Sequence, residues 1–416
     1  MRRFPGYVAA AALVLATTTA CATAPHEDTL VLTAGTPRQI DLHDWDSSAA
    51  LRHGTLSGTR VSNGRLVFSA STGTRSLGGR TYDVAGWTSP WRKPGFDFTQ
   101  LIASWSAHTP ADSWLDVQVR GRTESMHTTS WDTLARWAGG DKHISRTSLG
   151  PQGDDGTSVD VDTWKTAGLR SYQLRVHLMR RHGSSTRPSV DLVAAMTSRI
   201  PATAGATSKP GPGDGKVLPV PRYSQMVHRG EFPQWGGGGE AWCSPTSTSM
   251  VLGYYKKLPH PSSYSWVPKK VTDPWVDFAA RSTYDHRYDG TGNWPFNTAY
   301  AAPRAGKAFV TRLRSLREAG RFIAAGIPVV VSVAFGPGQL SGAPISASNG
   351  HLIVIVGFTK KGDVVVNDPA SSTTAGVRRT YDRAQFERVW LDASGGMAYI
   401  IHDAAHPLPQ GNATNW

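Results

Sequence analysis

Cysteine is nearly missing from this chain. Two occur in 416 residues, Cys21 and Cys243. Cys21 lies in or beside what reads as an export leader, so the expectation is that Cys243 alone remains in the folded part and that no disulfide forms within the chain. An exported protein that keeps one thiol either buries it inertly or uses it for chemistry. Long apolar runs are lacking too: after the leader no stretch approaches the roughly 18 residues a membrane helix needs. No arginine-rich run is interleaved with aromatics, which excludes nucleic acid as a partner. His-Glu-x-x-His does not occur, and His228, His260 and His286 stand without metal-ligand spacing. They read as surface residues, and no metal or organic cofactor is expected. Internal repeats are absent as well.

What is present begins with Arg2 and Arg3, the apolar run Val8 to Leu15 and the small residues Ala16 to Ala20. This is the pattern of a signal peptide over residues 1–22. Cleavage after Ala22 gives a secreted, soluble product. Cleavage before Cys21 leaves a lipidated cysteine, the one expected route to a membrane, although Thr18 stands where such signals usually carry leucine. Net charge is +13, from 44 Lys and Arg against 31 Asp and Glu. That excess suits an anionic cell-wall polymer as partner, a solvated basic surface being the plainer alternative.

Gly and Pro number 43 and 27, which favours turn-rich β or mixed folds over a helical bundle. Over residues 28–199 short runs alternate polar and apolar side chains. Leu115, Val117 and Val119 alternate with Asp116, Gln118 and Arg120, and Tyr172, Leu174, Val176 and Leu178 with Gln173, Arg175 and His177. The period is that of strands with one buried face, so an all-β sandwich of unknown role is expected. Residues 200–216 have linker composition and place a domain boundary. The stretch 217–403 mixes α and β signals, and the tail 404–416 reads as poorly ordered. Helices are predicted over Ser244–Tyr255, with Met250, Val251, Tyr254 and Tyr255 on one face, and over Ser315–Ala325. Strands are predicted over Pro328–Phe335, His351–Phe358 and Asp363–Asn367, the last two joined by a turn at Lys360-Lys361-Gly362.

Within this second stretch, Trp242-Cys243-Ser244-Pro245 sets the sulfur at a helix start, where unpaired amides and the dipole favour a thiolate. Asn349-Gly350-His351 opens an apolar strand and offers a base, 351 − 243 = 108 residues further on. Asp368, in Val366-Asn367-Asp368-Pro369, offers the acceptor that a catalytic imidazole needs. With an even-membered turn, pairing Phe358 with Asp363, His351 and Asp368 share a sheet face and Asn367 takes the other. A one-residue slip would favour Asn367 instead. Gln225, 18 residues before Cys243, carries an amide able to donate to an oxyanion. Taken singly, a buried cysteine, a core histidine and an Asp-Pro turn are ordinary. Their order carries the reading.

That set resembles the bacteriocin-processing-peptidase-like cysteine peptidases, relatives of papain and family thirty-nine among cysteine peptidases. The resemblance rests on Val220 to Gln225, Trp242 to Met250, Gly350 to Gly357 and Val366 to Pro369, within residues 217–403. It implies a papain-like α+β domain in which Gln225 is the oxyanion donor, Cys243 the nucleophile, His351 the base and Asp368 its orienting acid. It implies hydrolysis of peptide or isopeptide bonds in a peptide or protein substrate. Two departures bear on specificity: Trp235-Gly236-Gly237-Gly238-Gly239 reads as a flexible insertion between Gln225 and Cys243, and Ser244 stands where glycine is often found. Rival readings are an acyl transferase with the same residues and a wall-binding protein with a degenerate peptidase domain.

Overall fold

A computed structural model describes residues 37–411 and 413–416, so the leader and Cys21 lie outside the described residues. The fold is mostly β-sheet with few helices. Residues 39–199 form two antiparallel sheets, one of eight strands and one of seven. Leu101, Ala103 and Trp105 from the first and Ala85, Trp87, Val176 and Leu178 from the second share one buried apolar core, as alternating strands dictate.

The outer face of the seven-stranded sheet is less exposed than its alternation predicts. Asp116 and Gln118 are buried beneath a layer of arginines. Arg75 bonds the Asp116 carboxylate, Arg175 donates to Gln118 at 2.7 Å, and Arg175 lies 4.1 Å over the Trp131 ring. Long guanidinium side chains stacked on indoles cover the polar face, so period-two patterning does not give a wet side here.

The remaining residues build a six-stranded antiparallel sheet and the helices around it. Its strands are β1 (Lys307–Arg312), β2 (Val329–Phe335), β3 (Ser348–Phe358), β4 (Val364–Asn367), β5 (Arg378–Tyr381) and β6 (Met397–His402), in the order β1-β6-β2-β3-β4-β5. The helices are α1 (Cys243–Tyr254), α2 (Trp275–Thr283), α3 (Trp294–Ala305), α4 (Leu316–Ala324) and α5 (Arg383–Ser394). Helix α1 departs from the predicted amphipathic form, since every residue from Cys243 to Leu252 is buried. Its hydroxyls find partners inside the fold, Ser247 Oγ donating to the Leu352 carbonyl at 3.0 Å and Ser244 meeting the Tyr399 hydroxyl at 2.9 Å. A helix wrapped on all sides needs no polar stripe.

The two halves are joined closely. Phe296 of α3 packs 6.2 Å from Trp105 and 5.1 Å from Trp137, and the Val310 amide donates to Ser104 Oγ at 2.9 Å. The Gly/Pro-rich stretch is tied down as well, Ser208 Oγ bonding Glu387 at 2.7 Å and Arg383 Nε bonding the Ser208 carbonyl at 2.6 Å. Nor is the tail loose. Thr414 O accepts from Leu42 N at 2.6 Å, Asn415 is fully buried, and Trp416 meets Phe322 at 5.1 Å. Composition hid these ties because the partners lie hundreds of residues away. Among the described residues no helix is long and apolar enough to cross a membrane.

Candidate functional site

Cys243 is the first residue of α1. The Thr246 amide donates to the Trp242 carbonyl at 3.1 Å, closing the first turn and leaving the amides at the helix start directed at the sulfur's end. The residue is fully buried. The expectation of no disulfide turns on Cys21, which lies outside the described residues.

One turn beyond Cys243, on the same helical face, Ser247 bonds the carbonyl of Leu352, which sets the start of α1 against the start of β3. His351 on β3 pairs with Val333 of β2 and is almost fully buried. Its Nε2 lies 2.7 Å from Asp368 Oδ1. A carboxylate only accepts, so Nε2 carries the proton and Nδ1 is the nitrogen left for a thiol.

The shared face of His351 and Asp368 is achieved by a route the sequence did not suggest. At the hairpin end Phe358 pairs with Val364, not Asp363. The connection Thr359 to Asp363 therefore has an odd number of residues, which alone would have turned Asn367 toward the histidine. A bulge at Val356 restores the register, so that Val354 pairs with Asn367. Asn367 consequently faces away, donating to the Pro221 carbonyl at 2.8 Å and accepting from Arg378 Nε at 2.6 Å.

Asp368 is fully buried, and its environment holds it ionised. Its Oδ1 also accepts from the Ala370 amide at 3.0 Å and its Oδ2 from the Tyr381 hydroxyl at 2.7 Å. Desolvation pushes its pKa up, but His351, Tyr381 and the Ala370 amide together hold it below the usual carboxylate value. Tyr381 in turn is pushed up by burial and by Asp368, so it stays a donor. No motif in the sequence marked Tyr381. Only the pairing of β4 with β5, Val364 opposite Tyr381, brings it there.

Gln225 opens a 3-10 turn capped by Ser224. Its amide N–H donates to the carbonyl of Pro369 at 2.9 Å, and its side-chain Nε2 donates to the carbonyl of Glu240 at 2.5 Å. Gln225 thus bridges the residue after Asp368 and the segment entering Cys243. The insertion before Cys243 is packed rather than open: Phe232 stacks on Trp235 at 5.0 Å, and Trp242 Nε1 donates to the Trp235 carbonyl at 2.8 Å. Ser244 points inward to Tyr399. His228, expected at the surface, is fully buried.

Two family descriptions match the chain: the Peptidase C39 N-terminal domain over residues 41–198 and the Peptidase_C39 like family over residues 217–397. No curated protein matches it. Among solved structures, a family two carbohydrate esterase from Cellvibrio japonicus shows 10% identity over 44% of this chain and 42% of its own, with a TM-score of 0.19. A likeness that slight carries no argument. The two adjoining family matches are of one kind, and this chain belongs to the Peptidase C39-like cysteine peptidases.

Proposed function

We propose that the chain is an exported cysteine peptidase with a papain-like α+β catalytic domain, and that it hydrolyses peptide or isopeptide bonds through Cys243, His351 and Asp368. The observation that supports this most is the 2.7 Å contact between His351 and an ionised, fully buried Asp368. It opens a strand packed on the helix that begins at Cys243. In this reading the sulfur acts as a thiolate paired with the protonated His351 ring. Sulfur attacks the carbonyl carbon, and the oxyanion is held by the Cys243 amide and the Gln225 side chain. His351 gives its proton to the departing amine, leaving a thioester. It then takes a proton from water, whose hydroxide adds to the thioester, and the collapsing adduct releases the acid and the sulfur.

The chemistry requires the sulfur outside a disulfide. Cleavage after Ala22 would leave Cys243 as the one cysteine of the mature chain. The test is alkylation of the mature protein against pH, with a peptide-library cleavage assay alongside. A thiol titrating well below the ordinary value of about 8.5, with cleavage lost in Cys243→Ala and His351→Ala, is the expected result. An ordinary thiol pKa and cleavage that survives both substitutions would end the proposal. Adding an amine acceptor to the same assay separates hydrolysis from acyl transfer.

A further inference from the structure

Beside the Cys243 frame, but not part of it, three ligand-type side chains converge. His228 closes the 3-10 turn that Gln225 opens, Glu231 follows three residues later, and Asp277 comes from the first turn of α2. His228 Nδ1 lies 3.0 Å from Glu231 Oε2 and 3.4 Å from Asp277 Oδ2. One atom from each of the three fits within 4.8 Å. His228 and Asp277 are fully buried, whereas the Glu231 side chain is 28% exposed.

Protein partners do not satisfy this cluster. One ring N–H serves one carboxylate, and here two carboxylates approach the same nitrogen. Among the described residues neither oxygen of Asp277 has a hydrogen-bond partner, although the side chain has no contact with solvent. A third carboxylate, Asp273, lies close enough for its charge to be felt by the others. An uncompensated buried carboxylate is costly, and a second negative charge beside it adds to that cost. A cation between the three side chains removes both problems.

We propose that His228, Glu231 and Asp277 form a binding site for a divalent transition-metal ion, Zn2+ by ligand type. Ligand atoms about 2.0–2.1 Å from a tetrahedrally held ion stand roughly 3.3–3.4 Å apart, and about 3.0 Å apart when the angle closes toward 90°. The two separations from His228 Nδ1 fall in that interval. One imidazole and two carboxylates suit zinc better than the all-oxygen shells of calcium or magnesium. Three protein ligands leave a fourth position, and the partly exposed Glu231 marks the entry. The ion ties the turn carrying Gln225 to α2. It also backs the loop entering Cys243, since a Cβ on Gly239 would sit 2.1 Å from the His228 carbonyl oxygen.

The test uses full-length protein stripped with a chelator, titrated with Zn2+ by calorimetry and with Co2+ by visible absorption. One equivalent per chain is expected, with affinity at least about tenfold weaker in Glu231→Gln and in Asp277→Asn. Circular dichroism verifies the fold of each variant. Should Asp277→Asn fail to fold, Glu231→Gln, at a partly exposed position, decides. Wild-type protein that binds no Zn2+ at about 100 μM, or Glu231→Gln binding with undiminished affinity, overturns the proposal. Because the readout is metal binding, its failure leaves the peptidase reading untouched.

Discussion

Replacing Tyr381 with phenylalanine isolates one hydroxyl and leaves the packing almost unchanged. That hydroxyl donates at 2.7 Å to Asp368 Oδ2 in a buried setting, and a hydrogen bond to a buried charge is worth about 1.5–3 kcal/mol. A loss near 2 kcal/mol shifts the folded-to-unfolded ratio about thirtyfold and lowers the melting temperature by roughly 4–8 °C in a unit of this size. The effect carries a pH signature. Asp368 has a folded pKa below its unfolded value of 3.8, so its contribution is present above that value and is lost as pH falls through the folded pKa. Removing Tyr381's hydroxyl raises the folded pKa, so the deficit is full near neutral pH and shrinks only as pH falls through the folded pKa values. Urea unfolding of both proteins across pH 3–8 measures it. A deficit under about 0.5 kcal/mol at pH 7, or one that grows as pH falls, would refute the picture of Tyr381 as a donor to an ionised Asp368.

Two further outcomes follow from buried contacts elsewhere in the chain. Asn415→Ala removes donors to the Arg312 carbonyl at 2.8 Å and to Glu318 at 2.9 Å, leaving a buried carbonyl unpaired. Calorimetry is expected to show a loss of about 2 kcal/mol. Asp162 accepts from the Trp294 amide at 3.2 Å, and burial pushes its pKa up to about 7. A raised carboxyl costs stability as it ionises, so the penalty grows from pH 4 to pH 7 and is complete above. Asp162→Asn should therefore raise the melting temperature at pH 8 and not at pH 4, and a gain of equal size at both pH values would disprove the cause.

Local signals in the sequence were legible where one segment sufficed. The start of α1, the strand at His351 and the strand ending at Asn367 lie within a few residues of their predicted bounds, because caps, turns and apolar runs are short-range physics. Whatever depended on distant partners was not. Tyr381 reaches Asp368 only through strand pairing, His228 is buried only because α2 and Trp242 cover it, and the tail is ordered by Leu42, Thr311 and Phe322. Patterning also misread two surfaces. It left the outer sheet face wet, since it has no means of seeing arginines stacked on indoles. It made α1 amphipathic, since hydroxyls bonded inside a core look the same in sequence as hydroxyls facing water.

The extra residue at Val356 works as a buffer between the hairpin tip and the site. Its carbonyl accepts from the Leu218 amide at 2.8 Å, which anchors the irregularity from outside the hairpin. Changes in the length of the connection around Lys360 and Lys361 can therefore dissipate before they reach the imidazole and its carboxylate, and a tag inserted there should be tolerated. A single deletion between His351 and Val356 has no such cushion and would rotate the ring to the opposite side of the sheet.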